Sequence, residues 1–81
     1  MTSITVTIKP RGPDKFNIGQ QGFTVSTWDD VKIKSLKTDI QDLRNIPPSE
    51  QLLWLENNKL TDNNVQLKNA GVVDRSIIHL R

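Results

Sequence analysis

Apolar and polar residues alternate from Ile4 to Lys9, placing Ile4, Val6 and Ile8 on one side of a stretch rich in β-branched types. A repeat of two is that of a half-buried strand, so these three side chains are expected to face a core. Further on the period changes. Ile33, Leu36, Ile40 and Leu43 follow a three-four-three spacing, which at about 3.6 residues per turn makes one apolar stripe along a helix. Lys34, Ser35, Lys37, Thr38, Asp39, Gln41 and Asp42 fill the face turned to water. Arg44 sets a cation at the carbonyl end and Asn45 suits a left-handed cap. Pro47 and Pro48 then forbid continuation, since neither can donate a backbone hydrogen bond. The rest of the chain reads as cover for this stripe.

Pro10-Arg11-Gly12-Pro13-Asp14 is a turn cluster, and a second strand is expected within Lys15 to Val25, forming a hairpin with the first. Phe16 and Ile18 share one parity, Phe23 and Val25 the other, with Gly19-Gln20-Gln21-Gly22 between them. Either the strand carries a bulge or kink there, or a long loop leaves only Gly22 to Val25 paired. Ser26 to Asp30 is full of capping types, so Thr27 with Asp30, or Asp30 alone, is expected to start the helix. Trp28 is expected to lie as a lid over the helix stripe rather than as an exposed connector, because a large aromatic is costly to leave bare.

Beyond the prolines, Gln51 to Leu55 reads as a short strand with Leu53 and Leu55 on one face and Leu52 and Trp54 on the other. Glu56 to Lys59 is a turn, Leu60 a brief apolar return, and Thr61 to Gln66 a polar loop. Leu67 to Val72 looks like one tight helical turn with a glycine at its end. Ser76 to Arg81 closes the chain as a strand with Ile78 and Leu80 inward and Ile77, His79 and Arg81 outward. The order is hairpin, helix, strand, turn, strand, an α+β arrangement.

Composition narrows the function classes. A chain of 81 residues is one domain, and 25% charged with 35% hydrophobic residues is a globular balance. A net charge of +2 is too small to argue for nucleic acid on its own. The absence of cysteine excludes disulfides and thiolate metal sites, and with a single histidine no zinc site or cofactor is expected. No apolar run nears the roughly 20 residues of a membrane span. Met1 to Ile4 has neither a basic leader nor an apolar run, which gives the expectation of an intracellular domain, cytoplasmic or nuclear.

Five pieces of the chain, in order, resemble the ubiquitin-like domains. Ile33-Lys34-Ser35-Leu36-Lys37 resembles the opening of that family's helix, with Lys37 in the place of its buried-stem lysine. Asn45-Ile46-Pro47-Pro48-Ser49-Glu50-Gln51 resembles its Gly-Ile-Pro-Pro-Asp-Gln-Gln, and Leu53 to Asp62 the strand and turn that follow. Leu67 to Val72 and Ser76 to Leu80 resemble its late turn and closing strand. The resemblance implies a β-grasp: a mixed sheet of four to five strands wrapped around one amphipathic helix, its first and last strands parallel neighbours. It also marks departures. No Gly-Gly follows Arg81, so a domain that is not conjugated is expected, the N-terminal module of a larger protein over residues 1–81. On the family's recognition patch Trp54 stands at the central isoleucine, His79 at the histidine, Leu52 at an arginine and Arg81 at a valine. Asn58 stands at the main chain-building lysine, with Lys59 beside it.

The residues hold no catalytic set. His79 is the one imidazole, on an outward strand position that suits a contact or an ordinary surface histidine rather than a general base. Ser76 has no paired base, and Gly19 to Gly22 lacks the lysine and helix start of a phosphate cradle. Asp29, Asp30, Asp39 and Asp42 read as caps and solvated helix face. An enzyme is not expected. Trp54, outward beside Leu52 and near His79, Arg81 and Lys59, has the composition of a protein-binding hot spot, against the alternative of a core extension. A monomeric interaction module is expected. The partners that the resemblance implies are a ubiquitin-binding helix, a proteasome receptor, an AAA ATPase or the parent chain. Nucleic-acid binding through Lys9, Arg11, Arg75 and Arg81, as in ubiquitin-like domains of RNA-processing proteins, is the alternative, as is a modifier precursor cut before its glycine tail.

Overall fold

In the computed structural model, which describes residues 1–81, the first alternating stretch is strand β1, Ser3–Pro10, with Ile4, Val6 and Ile8 buried. Strand β2, Phe23–Trp28, pairs antiparallel with it. Helix α1 spans Ile33–Arg44, and a single 3₁₀ turn at Pro48–Glu50 leads to β3, Leu53–Leu55. The short β4, Asn58–Lys59, precedes a second 3₁₀ turn at Lys68–Ala70 and the closing β5, Ile77–Leu80. The five strands form one mixed sheet ordered β2-β1-β5-β3-β4, in which only β1 and β5 run parallel. Ile33, Leu36 and Ile40 of α1 pack on its inner face with the buried apolar residues of every strand but β4. This is the β-grasp arrangement.

Several expectations change in physical detail. Leu43, the last residue of the stripe, is 55% exposed, whereas Lys37 is 8% exposed. At about 100° per residue, Lys37 lies roughly 40° from Ile33 and Leu43 roughly 80° on the other side, so the buried face takes the lysine stem and leaves the leucine. Ile46, beyond the cap, fills that end of the core. Burial, with the Lys59 cation as a second cause, pushes the Lys37 ammonium below its ordinary range.

The helix start is not capped by Thr27 or Asp30. Lys32 stands at the cap position without a side-chain bond, and the amides of Ile33 and Lys34 donate to the carbonyls of Val65 (2.9 Å) and Asn63 (3.0 Å). At the other end the expected cap forms: Asn45 is left-handed at φ 58° and its amide donates to Gln41 at 2.7 Å.

Between β1 and β2 the chain makes a long loop, so of the two readings the continuous bulged strand fails. Asp14 organises the loop by accepting from the amides of Ile18 (2.9 Å) and Gly19 (2.7 Å), and Phe16 and Ile18 pack half-buried on the core. Gly22 (φ 70°) closes it where a β-carbon would overlap the Ile8 carbonyl. Strand β2 then runs three residues past Val25. Its alternation sends Thr27 inward and Trp28 outward, 47% exposed, so the indole is no lid. Gln51, unremarked in the sequence, is buried and donates to the carbonyls of Lys37 (2.8 Å) and Ile46 (2.9 Å), tying helix to strand.

Candidate functional site

Strand alternation builds one outer patch from distant parts of the sequence. Leu53 is buried, so Leu52 and Trp54 face outward on β3. Ile78 and Leu80 are buried, so His79 and Arg81 face outward on β5. The register sets Trp54 directly opposite His79 on one side and Lys59 on the other. Pairing continues past the strand ends, where the Leu52 and Arg81 amides donate to each other's carbonyls at 3.0 and 2.9 Å. All five residues singled out in the sequence therefore share one face. Leu52 is 41% exposed, Trp54 and His79 are half-buried, and Lys59 and Arg81 are open to solvent.

What covers the indole was hidden in the sequence. The Arg11 guanidinium sits 4.1 Å from the Trp54 ring centroid and donates to the Glu56 carbonyl at 3.1 Å. The Arg11 amide donates to Leu80 at 2.9 Å, which fixes the base of the loop. Lys59 Nζ lies 6.0 Å from the same centroid. A cation over an aromatic face is attracted by the ring quadrupole and keeps its charge available to a partner. Only the spacing across 43 positions, from Arg11 to Trp54, defeats detection; the residue types were suggestive.

Trp54 Nε1 and His79 Nδ1, on directly opposed residues, are both buried and without a hydrogen-bond partner. Beside them a depression of about 410 Å³ is lined by Lys9, Leu55, Glu56, Arg75, Ser76, Ile77 and His79. The face is thus apolar at Leu52 and Trp54, cationic at Lys9, Arg11, Lys59, Arg75 and Arg81, and holds Glu56 as its acid. No three His, Asp or Glu side chains converge to hold a metal, and no helix is long and apolar enough to cross a membrane.

Solved structures resemble this fold over its whole length. The ubiquitin-like domain of Arabidopsis thaliana protein At2g32350, determined in solution by NMR, superposes with a TM-score of 0.82 at 25% identity, covering 100% of this chain and 78% of that one. The UBL domain of Plasmodium falciparum Dsk2, a crystal structure, gives 0.77 at 26% identity, covering 98% and 96%. The chain is a ubiquitin-like domain. No family model and no curated protein matches it. In this ubiquitin-like domain the buried inward positions of the sheet are apolar except for Thr27, while the outer patch centres on an indole and a guanidinium.

Proposed function

We propose that this ubiquitin-like domain is a protein-interaction module that docks a partner helix on the face centred on Trp54. It would serve as a monomeric part of a larger polypeptide inside the cell. The observation that carries the reading is the indole stacked under the Arg11 guanidinium on the outer face, opposite His79 and outside the core. Tryptophan and arginine in a partly desolvated patch are the residues most enriched among binding hot spots. Partners of the ubiquitin-receptor class fit best: a ubiquitin-binding helix, a proteasome receptor, an AAA ATPase, or a segment of the parent chain. A role in binding rather than catalysis fits His79, whose opposed neighbour is an indole and not a nucleophile.

The test is an NMR titration of the labelled domain with a ubiquitin-binding helical peptide and with a proteasomal receptor domain. Shifts should cluster on Leu52, Trp54, His79 and Arg81, and Trp54→Ala should lose binding while the spectrum stays folded. Silence with both ligands refutes this partner class. Binding of a single-stranded oligonucleotide on the same residues, steeply weakened by salt, would replace it with a nucleic-acid reading.

A further inference from the structure

The turn that leads into β5 is held more firmly than its position requires. The Asp74 carboxylate accepts from the Thr5 amide at 2.8 Å, and the Arg75 amide donates to the Thr5 carbonyl at 2.7 Å. The Ser76 amide donates to the Val73 carbonyl at 3.1 Å, and the Val73 amide returns a bond to the Ser76 hydroxyl at 2.9 Å. These four bonds fix Arg75 in left-handed geometry at φ 70°, which residues with a β-carbon seldom adopt. Such strain persists where the surroundings over-determine it, and it gathers at sites that clamp a ligand. Here it presents the Arg75 side chain, 91% exposed, at the mouth of the depression beside Trp54.

Four groups lining that depression each have a donor to spare. Lys9 stands directly opposite His79 in the parallel register, and neither side chain has a bond or an ion pair within the chain. His79 Nδ1 is buried without a partner, so the ring proton is better placed on Nε2, the nitrogen that solvent reaches. The Ser76 oxygen is an acceptor in the turn, which leaves its hydroxyl proton to donate. Arg75 makes the one ion pair of the molecule, with Asp74, but at 4.0 Å and open to water this pair restrains the guanidinium little. Glu56 is the one acid of the lining and pairs with neither cation. Two cations against one carboxylate leave the depression, about 410 Å³, with net positive charge.

We infer that this depression binds the phosphoryl group of a phosphorylated serine or threonine side chain. Lys9, the Arg75 fork, the Ser76 hydroxyl and His79 Nε2 supply donors from β1, from the turn and from β5. A planar carboxylate has two oxygens for them, whereas a phosphoryl group has three and carries nearly two charges at neutral pH. The apolar wall of Leu55 and Ile77 is left for the carbons next to the phosphate. The segment that carries the group is part of the partner proposed for the Trp54 face, since Trp54 is paired with His79. The carrier rests on that reading, and the phosphoryl site does not.

The experiment titrates the intact labelled domain with the capped tripeptide Gly-phosphoserine-Gly, in about 0.15 M salt to screen diffuse attraction. The His79 ring and the amides of Arg75, Ser76 and Ile77 should shift together and saturate at millimolar concentration. The tripeptide has no apolar side chain and is too short for a helix, so it reads this site whether or not a helix binds at Trp54. Lys9→Gln and Arg75→Gln should each weaken binding about tenfold, and Glu56→Gln should tighten it about threefold. Lys34→Gln, the same charge change on the exposed helix face, should leave it as it was. Gly-Ser-Gly and Gly-Glu-Gly should not bind. Equal binding of the glutamate peptide overturns the inference, as does a Lys34→Gln loss equal to that of Lys9→Gln, or shifts that never saturate. Inorganic phosphate binding more tightly than the tripeptide overturns the side chain as occupant in favour of the free ion.

Discussion

Leu53 and Trp54 are neighbours in sequence on opposite faces of β3, and truncating each to alanine separates core from surface. Leu53 is wholly buried among the apolar residues of the core. Leu53→Ala removes that packing and opens a cavity, for about 2–5 kcal/mol. Trp54 is half-buried outside the core and stacked under Arg11. Trp54→Ala loses that cation–π contact, about 0.5–1 kcal/mol, and a similar amount of partial apolar burial, for about 1–2 kcal/mol in all. At roughly 0.05–0.15 kcal/mol per residue, an 81-residue domain holds about 4–12 kcal/mol. Leu53→Ala therefore threatens folding, whereas Trp54→Ala leaves a stable protein. Urea denaturation followed by far-UV circular dichroism measures both. Adding Arg11→Ala to Trp54→Ala closes a double-mutant cycle, in which about 0.5–1 kcal/mol of coupling is expected. Equal losses for the two alanine variants would refute the reasoning, because the indole would then be core and its loss of binding would report unfolding.

Two further expectations follow from particular positions. Gly22→Ala, with φ 70° and a β-carbon driven into the Ile8 carbonyl, should cost clearly more than the 1–2 kcal/mol of a left-handed alanine, whereas Gly12→Ala at the same φ with open space should cost only that, both read from urea midpoints. Lys37→Met keeps the buried stem without the cation and should be more stable at neutral pH, as thermal denaturation would register. Because the folded ammonium titrates below the ordinary 10.5, the unfolded chain holds more protons just below that pH, so wild-type stability from this group rises with pH there and the gap to Lys37→Met narrows. A gap that stays constant through that window would remove the desolvated cation from the account.

The parts of this fold legible in the sequence are those where one local period decides. The β1 and β5 alternations and the helix with its Asn45 stop are read directly, because side-chain direction follows from spacing alone. Trp28 was misread because a capping-rich run concealed three more residues of strand, and alternation rather than size set its direction. The helix cap was misread because its acceptors lie some 30 residues away, at Asn63 and Val65. In the outer patch, strand parity put Leu52, Trp54, His79 and Arg81 together. Arg11 was read only as part of a basic edge, and its stacking on Trp54 escaped notice because a loop return carries no period.

The borrowed cap also bears on how the molecule assembles. An isolated α1 peptide of 12 residues is below the length at which helices hold in water, and its first two amides have no local acceptor. Ile33 and Lys34 acquire theirs only once the segment through Asn63 and Val65 has docked, a segment further fastened by Leu67 to Val31 at 2.8 Å and Lys68 to Asp29 at 2.9 Å. Securing the first turn of the helix thus depends on closure of that distant loop, whose entropic cost those contacts must offset. The amides of Ile33 and Lys34 therefore report on a loop some 30 residues away, although they sit in the most local element of the fold.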